Sequence, residues 1–275
     1  MLDSKRRDGL SVRYIQTIRF HLNRFARAFE TTIAAITTPL IDEWLRSQNV
    51  GPRGRNNMRS AVVSLFHFAR TRGYLPKGQA TEADDAARAK DRGGKIGILS
   101  PKDLAILLEE SSDDIRLFLA IAAFTGMRSN EILQLEWREV NFDRKHVTVA
   151  PEKSKTATRR LVPIQPNLME WLAPYHGRSG RIFRSRRDAD RAIAFAKGLR
   201  IEWPNNALRH SYATYRLAIV ADTARGALEM GNSPQKLMTN YRELADEIEA
   251  ANWFAIAPAW SSTVIAATAA LTSAA

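Results

Sequence analysis

The feature that most restricts the fold of this 275-residue chain is a break in its hydrophobic periodicity between Lys77 and Gly97. Apolar residues recur at intervals of three and four on both sides of the break, whereas the stretch itself reads GQATEADDAARAKDRGGKIG. Such periodicity is typical of amphipathic helices, and a polar stretch with paired glycines is typical of a flexible linker. The length allows one large domain or two modest ones, each with its own core. We predict a helical domain at 1–80, a linker at 81–97, a larger domain at 98–258 and a loose tail at 259–275.

The N-terminal region carries the start signals of a small all-helical domain. Ser11 is placed as a cap before an apolar stripe that runs from Ile15 to Phe29. Thr38-Pro39 starts a second helix, and Gly51-Pro52 separates it from a third. This pattern predicts three main helices packed around one small core.

Three arginines cluster where the third helix begins, namely Arg53, Arg55 and Arg59. Backbone amides and cationic side chains at a helix start favour contact with phosphate groups. A solvated basic face explains any single one of these arginines about as well.

The charge of the chain favours a polyanionic partner. Its 41 Lys and Arg against 29 Asp and Glu give a net charge of +12, which points first to nucleic acid, with a merely basic soluble protein as the alternative. The chain has no cysteine, which excludes disulfides, thiolate zinc sites and a cysteine nucleophile. The longest apolar run, 117–124, is too short to cross a bilayer, and no signal pattern opens the chain. We expect a cytoplasmic protein without membrane contact.

An arginine stands at a tight junction between two predicted helices in the larger domain. The first of these helices ends at Gly126, and Arg128 follows directly. Ser129 is placed to cap the next helix, with Glu131 in its first turn. An arginine in such a position is usually a surface or capping residue.

Two short strands are predicted at His146–Val149 and Leu161–Ile164, joined by a turn rich in Lys and Arg. Lysines in hairpin turns are normally solvated, so Lys153 and Lys155 have no role on this pattern alone.

The stretch 205–241 contains a predicted core helix, followed by the end signal of one helix and the start signal of the next. Leu208, Tyr212 and Tyr215 recur at helical spacing and are expected to face a core. Gly231 is suited to end a helix, and Ser233-Pro234 to begin the next one. That short helix would carry Tyr241.

The order of these motifs resembles the catalytic half of the tyrosine recombinase (phage integrase) family. The matching segments are 125–135, Ser154-Lys155-Thr156, Asn206-Ala207-Leu208-Arg209, Gly231-Asn232-Ser233-Pro234 and Tyr241. The resemblance implies a mainly α (α+β) fold. It consists of an N-terminal helical SAM-like core-binding domain and a helical catalytic domain with a small antiparallel sheet.

The resemblance also implies roles for individual residues. Tyr241 would be the nucleophile that forms a 3′-phosphotyrosyl link, Arg128 and Arg209 would hold the phosphate, and Lys155 would protonate the leaving oxygen. Lys153 is the alternative register for that lysine. The residues expected to contact DNA are Arg53, Arg55, Arg59, Glu131 and His210. The implied partner is double-stranded DNA bound by a homo-oligomer, a tetramer, with no metal and no cofactor.

Both positions that hold histidine in the family hold asparagine here. Asn232 retains an amide that donates to phosphate, whereas Asn206 cannot pass a proton near neutral pH as imidazole does. His210 lies four residues on and either substitutes for Asn206 or packs structurally beside the site.

The residues therefore predict a site-specific DNA recombinase or integrase, with a weakened or inactive DNA-binding relative as the alternative. A type IB topoisomerase is less favoured and would relax supercoils without a specific site. A general nucleic-acid chaperone would bind DNA without needing Arg128, Arg209 or Tyr241.

Overall fold

The computed structural model describes residues 1–91, 96–154, 158–185, 187–220, 222–241 and 245–260, and divides the chain into two compact units, Met1–Gly94 and Lys95–Ala275. Helices dominate both units, and the strands of the described residues form one three-stranded antiparallel sheet in the second unit. The predicted mainly helical fold with a small antiparallel sheet is confirmed. No helix in these ranges is both long enough and apolar enough to span a membrane.

The N-terminal unit is a helical bundle around an aromatic core. Its helices are α1 (Leu2–Arg7), α2 (Val12–Ala26), α3 (Thr38–Ser47), α4 (Pro52–Thr71) and α5 (Glu82–Asp85). The Ser11 hydroxyl accepts a hydrogen bond from the Tyr14 amide, so the predicted cap of α2 is confirmed. The Phe25 ring packs edge-on against Trp44 and Phe66, with ring centroids 4.9 and 6.4 Å apart.

The first part of the predicted linker is folded onto this unit. The Thr38 amide and hydroxyl both donate to the Glu82 carboxylate at 2.6 Å, and the Arg59 guanidinium donates to the carbonyls of Asp84 and Ala86 at 2.7 and 2.6 Å. Ala83 and Ala86 are buried in the same core. Because two alanines and main-chain groups make these contacts, the segment has no apolar period to reveal them.

The second unit is built around one buried helix. Its helices are α6 (Pro101–Glu110), α7 (Asp113–Thr125), α8 (Ser129–Ile132), α9 (Pro166–Leu172), α10 (Asp188–Gly198), α11 (Ala207–Val220), α12 (Thr223–Met230), α13 (Pro234–Tyr241) and α14 (Glu247–Phe254). From Leu117 to Thr125 every residue of α7 is buried, and α6, α9, α10 and α11 pack around it. The predicted core residues of α11, Leu208, Tyr212 and Tyr215, are also buried.

The sheet consists of β1 (Val140–Asn141), β2 (His146–Val149) and β3 (Arg160–Pro163) in that order, all antiparallel. The two longer strands match the predicted ones within a residue at each end, whereas β1 has only two residues and no detectable pattern. Val147 pairs with Val162 and both are buried. Side chains alternate between the two faces, so Leu161 is exposed.

Two glycines end helices where the sequence predicts it. Gly126 and Gly231 follow α7 and α12 with φ of +60° and +63°, the left-handed region that glycine favours. A Cβ on Gly126 would lie 2.3 Å from the Tyr212 ring, so a side chain does not fit there. One detail differs from expectation, because Arg128 is the N-cap of α8 and Ser129 is its first helical residue.

A candidate active site of two arginines and a buried tyrosine

Arg128 is anchored between its own helix start and a distant turn. It caps α8, and its backbone amide and Nη1 donate to the two oxygens of Glu131 at 3.0 and 2.8 Å. Its Nη2 donates to the carbonyl of Gly231 at 2.8 Å. The two contacts of the guanidinium set its orientation and leave its other N–H groups for a ligand.

Glu131 is a buried bridge between two arginines. It is 2% exposed, and Arg160 also donates to its two oxygens, to Oε2 at 2.5 Å and to Oε1 at 3.2 Å. Burial raises the pKa of Glu131, and the hydrogen bonds and charges of Arg160 and Arg128 outweigh that effect, so the pKa lies below the ordinary glutamate range. We expected Glu131 to contact DNA, whereas its oxygens face two arginines of the protein. It positions them.

Arg160 belongs to the arginine cluster around Glu131, although the sequence predicts it to lie in the Lys- and Arg-rich turn between the two strands. It begins β3, its side chain is 8% exposed, and its Nε donates to the Glu229 carbonyl at 3.3 Å. The strand pattern of the sequence indicates this inward position. Val162 faces the core, and strand residues two apart share a face, so Arg160 faces inward as well.

Arg209 lies on α11 and is held by three oxygen acceptors. Its Nη1 donates to the Gly126 carbonyl at 2.5 Å, and its Nη2 donates to the Met230 carbonyl at 3.0 Å and to Asn232 Oδ1 at 2.9 Å. Burial and the neighbouring Arg128 lower the pKa of Arg209 to about 10, which leaves it charged at neutral pH.

The turn 230–232 is the point at which both arginines meet. Arg209 binds the Met230 carbonyl and Arg128 binds the next carbonyl, that of Gly231. Because Asn232 Oδ1 accepts from Arg209, its amide Nδ2 points away from that arginine as a donor. A Cβ at Gly231 would lie 3.1 Å from Arg160 Nη1, so the third arginine packs closely against the same turn.

Tyr241 is the last residue of α13 and is 5% exposed. Its hydroxyl lies 2.6 Å from Nδ1 of His210, which is half-buried on α11 next to Arg209. Burial raises the pKa of Tyr241 above that of a free tyrosine, and the Arg209 charge lowers it only in part.

A cleft of about 350 Å³ opens beside the arginines. Its lining includes Arg128, Trp203, Asn206 and Arg209. Asn206 is exposed and has φ of +55°, a left-handed conformation that asparagine tolerates better than most residues, and it precedes α11 rather than lying on that helix as we expected. No group of three or more potential metal ligands occurs among the residues that the structure describes.

Of the two candidate lysines of the hairpin, the structure describes Lys153 and not Lys155. Lys155 lies outside the described residues. Lys153 is held by an ion pair: its Nζ donates to both oxygens of Glu139 at 2.8 and 2.7 Å and to the Gln134 carbonyl at 2.8 Å. A lysine bound in this way stabilises the hairpin and is not free for proton transfer.

The three arginines near the start of α4 have three different environments. Arg53 is exposed, and Arg59 is occupied by the carbonyls of the segment that follows α4. Arg55 is partly buried, and its Nε is enclosed without a hydrogen-bond partner within the described part of the chain. All three belong to the N-terminal unit, whereas Arg128 and Arg209 belong to the second unit.

Comparison with known proteins identifies similar sequences. Residues 98–223 match the model of the Phage integrase family. The tyrosine recombinase XerD of Vibrio cholerae is 27% identical over 236 residues, which cover 74% of this chain and 74% of that protein. The integrase of Salmonella phage P22 is 31% identical over 62 residues, which cover 22% of this chain and 16% of that protein.

Solved structures share the fold. A lambda integrase dimer bound to a COC′ core site superimposes with a TM-score of 0.70 at 16% identity, covering 86% of this chain and 92% of that one. The XerH site-specific recombinase in a post-cleavage complex with its difH substrate gives a TM-score of 0.66 at 21% identity, covering 85% and 78%. A lambda integrase tetramer bound to a Holliday junction gives 0.70 at 15%, covering 87% and 75%.

Proposed function

Because the chain belongs to the tyrosine recombinase and phage integrase family, we propose that it cuts and rejoins DNA strands through a covalent link to Tyr241. The observation that carries this proposal is the turn 230–232. Arg128 and Arg209 come from different helices, bind successive carbonyls of this turn, and lie beside the helix that carries Tyr241. Two fixed cations and a hydroxyl are the groups that phosphoryl transfer to a side chain requires.

The two arginines are proposed to bind the scissile phosphate. Attack on phosphorus builds up negative charge on the non-bridging oxygens, and guanidinium groups held in place before the reaction stabilise it at no reorganisation cost. Arg128 and Arg209 line the same cleft, and each keeps N–H groups beyond those bound to the protein. Asn232 Nδ2 is proposed to add one more hydrogen bond to a phosphate oxygen.

The covalent step is proposed to form a 3′-phosphotyrosyl ester at Tyr241 and to release a 5′ hydroxyl. The energy of the broken bond stays in the ester, so rejoining is the reverse reaction and requires neither a nucleotide nor a metal. Lys155 is proposed to protonate the leaving 5′ oxygen. The ion pair of Lys153 with Glu139 supports this choice between the two lysines.

The proposed substrate is double-stranded DNA bound by several copies of the chain. The net charge of +12 provides the attraction to phosphate. The lambda integrase structures contain a dimer on a core site and a tetramer on a Holliday junction, which supports a tetramer as the working assembly. Arg53 and Arg55 are proposed to contact the DNA backbone, with Arg59 holding the segment 84–86 of its own unit.

A DNA-binding protein that does not cut is the second candidate. Asn206 supports it, because the amide cannot pass protons at the position where relatives hold histidine. The burial of Tyr241 supports it as well, since the hydroxyl is closed off in the free protein.

Covalent trapping distinguishes the two candidates. Labelled duplexes from a fragment library, nicked so that the cleaved end diffuses away, are incubated with the protein and separated on a denaturing gel. We expect a slowly migrating adduct with the wild type and none with Tyr241→Phe, which lacks the attacking hydroxyl. The variant should bind DNA with unchanged affinity in a shift assay. An adduct that persists in Tyr241→Phe would exclude this tyrosine as the nucleophile, and binding without any adduct would favour the non-cutting protein.

A further inference from the structure

We propose that His210 is the base that accepts the proton of Tyr241 during strand cleavage, a role that rests on the proposed function. The observation is the 2.6 Å contact between His210 Nδ1 and the Tyr241 hydroxyl. Imidazole nitrogen at this distance from a nucleophilic hydroxyl is the arrangement of a general base. The contact joins two helices, α11 and α13, whose residues are 31 positions apart.

The chemistry of its side chain excludes Asn206 from this task. An amide is not basic near neutral pH, and Asn206 is exposed in the left-handed turn before α11. His210 lies one helical turn further on, directly after Arg209, and its ring centroid is 5.5 Å from that of Tyr241. The basic nitrogen therefore contacts the nucleophile itself, rather than occupying the position of Asn206.

The protonation states of the pair fit a base that is ready before DNA arrives. Burial and the charge of Arg209 lower the pKa of His210, so its imidazole is neutral at pH 7 and has a lone pair for the tyrosine proton. Among the described residues, the ionisable groups next to it are Arg209 on its own helix and Tyr241 on α13. Tyr241 keeps its proton in the free protein because burial raises its pKa.

DNA binding changes this balance in the direction of transfer. A phosphodiester between Arg128 and Arg209 brings a negative charge that offsets the positive charge next to His210 and favours the imidazolium. The Tyr241 proton then passes to Nδ1 while the tyrosine oxygen bonds to phosphorus and the bond from phosphorus to the 5′ oxygen breaks. The 5′ oxygen takes its proton from a separate acid, for which Lys155 is our proposal. In rejoining, the 5′ hydroxyl returns its proton to that acid as it attacks phosphorus, and the proton on His210 returns to the departing tyrosine.

Two variants of His210 separate a base from a structural hydrogen bond. His210→Asn places an amide oxygen near the position of Nδ1, so it can accept the tyrosine hydrogen bond but cannot accept the proton. His210→Ala removes both functions. A purely structural role predicts a wild-type cleavage rate for the asparagine variant, whereas a base predicts loss of rate in both.

The experiment measures single-turnover cleavage of a nicked duplex against pH. We expect His210→Asn to bind DNA within about twofold of the wild type and to cleave about 10² to 10⁴ times more slowly. The wild-type rate should fall as the pH drops below the His210 pKa of the DNA complex, which the bound phosphate raises above that of the free protein. That fall should be absent in the variant.

A second substrate, with sulfur in place of the bridging 5′ oxygen, isolates the base from the acid because a thiolate leaves without a proton. It should restore cleavage to Lys155→Ala and leave His210→Asn slow. Wild-type cleavage by His210→Asn, or restoration of its rate by the sulfur substrate, would overturn the base role alone. Absence of any adduct with the wild-type protein would overturn the proposed function, and the base role with it.

Discussion

Replacing Glu131 by glutamine removes one negative charge from a buried cluster that holds two positive ones. Glu131 is 2% exposed, and Arg128 and Arg160 both form ion pairs with it, at 2.8 and 2.5 Å. Removing one partner of a buried ion pair costs about 3 to 5 kcal/mol, because the remaining charge is desolvated and uncompensated. Glutamine retains one oxygen acceptor, so we expect the lower end, about 3 kcal/mol.

The loss of stability can be followed in the second unit, Lys95–Ala275, separately from the N-terminal unit. Trp44 is the one tryptophan of the N-terminal unit, and the other five lie in Lys95–Ala275, so tryptophan fluorescence during urea unfolding reports mainly on that unit. About 3 kcal/mol corresponds to a fall of about 6 to 12 °C in its melting temperature, at 2 to 4 °C per kcal/mol for a domain of this size.

The loss should depend on pH in a defined direction. The folded pKa of Glu131 lies below that of the unfolded chain, so its stabilising contribution is complete above the unfolded value of about 4.3 and disappears as the pH falls through the folded value. The wild type and Glu131→Gln should therefore differ most near neutral pH and converge in acid. The same variant should cleave about 100-fold more slowly, because Arg128 loses the contact that aligns it.

Glu229 provides a matched control. It is buried to a similar degree and binds Arg216 and Arg225 in the same unit, but it does not contact Arg128. Glu229→Gln should lose comparable stability with a smaller loss of cleavage under conditions where both variants are folded. A Glu131→Gln protein that unfolds within about 0.5 kcal/mol of the wild type would refute the stability argument. Equal cleavage losses in the two variants would refute the positioning role.

Two further substitutions test the surroundings of the site. Gly126→Ala should destabilise the second unit by about 2 to 5 kcal/mol in urea unfolding. Alanine is strained in the left-handed backbone conformation of this residue, and its Cβ would collide with the Tyr212 ring. Gly177→Ala has the same backbone strain in open space and should cost about 1 to 2 kcal/mol; an equal loss in both would remove the collision from the explanation. Asn206→His should raise the single-turnover cleavage rate by up to about 100-fold by adding a proton donor and acceptor, and an unchanged or lower rate would show that the site is built around the amide.

Local signals in the sequence predicted the helix boundaries well because capping depends on near neighbours. The Ser11 hydroxyl accepts from the Tyr14 amide and starts α2 as predicted. Gly231 adopts the left-handed conformation that ends α12. The family membership was predictable for a related reason, since it rests on short motifs in a fixed order. The packing of segment 81–91 against the N-terminal unit was not predictable, because the hydrogen bonds that attach it come from residues more than 20 positions away.

In the candidate site, too, the sequence does not reveal contacts that are made by main-chain groups. Arg128, Arg209 and Tyr241 were identifiable as residue types, but the acceptors that orient the arginines are main-chain carbonyls, which every residue possesses and no motif marks. The turn 230–232 supplies those acceptors and continues directly into α13, the helix of Tyr241. Any movement of this turn would therefore act together on the two arginines that we propose to bind phosphate and on the tyrosine that we propose as nucleophile. Substitutions in the turn should change the binding of the scissile phosphate and the attack on it in parallel, whereas a change at His210 should alter the attack alone.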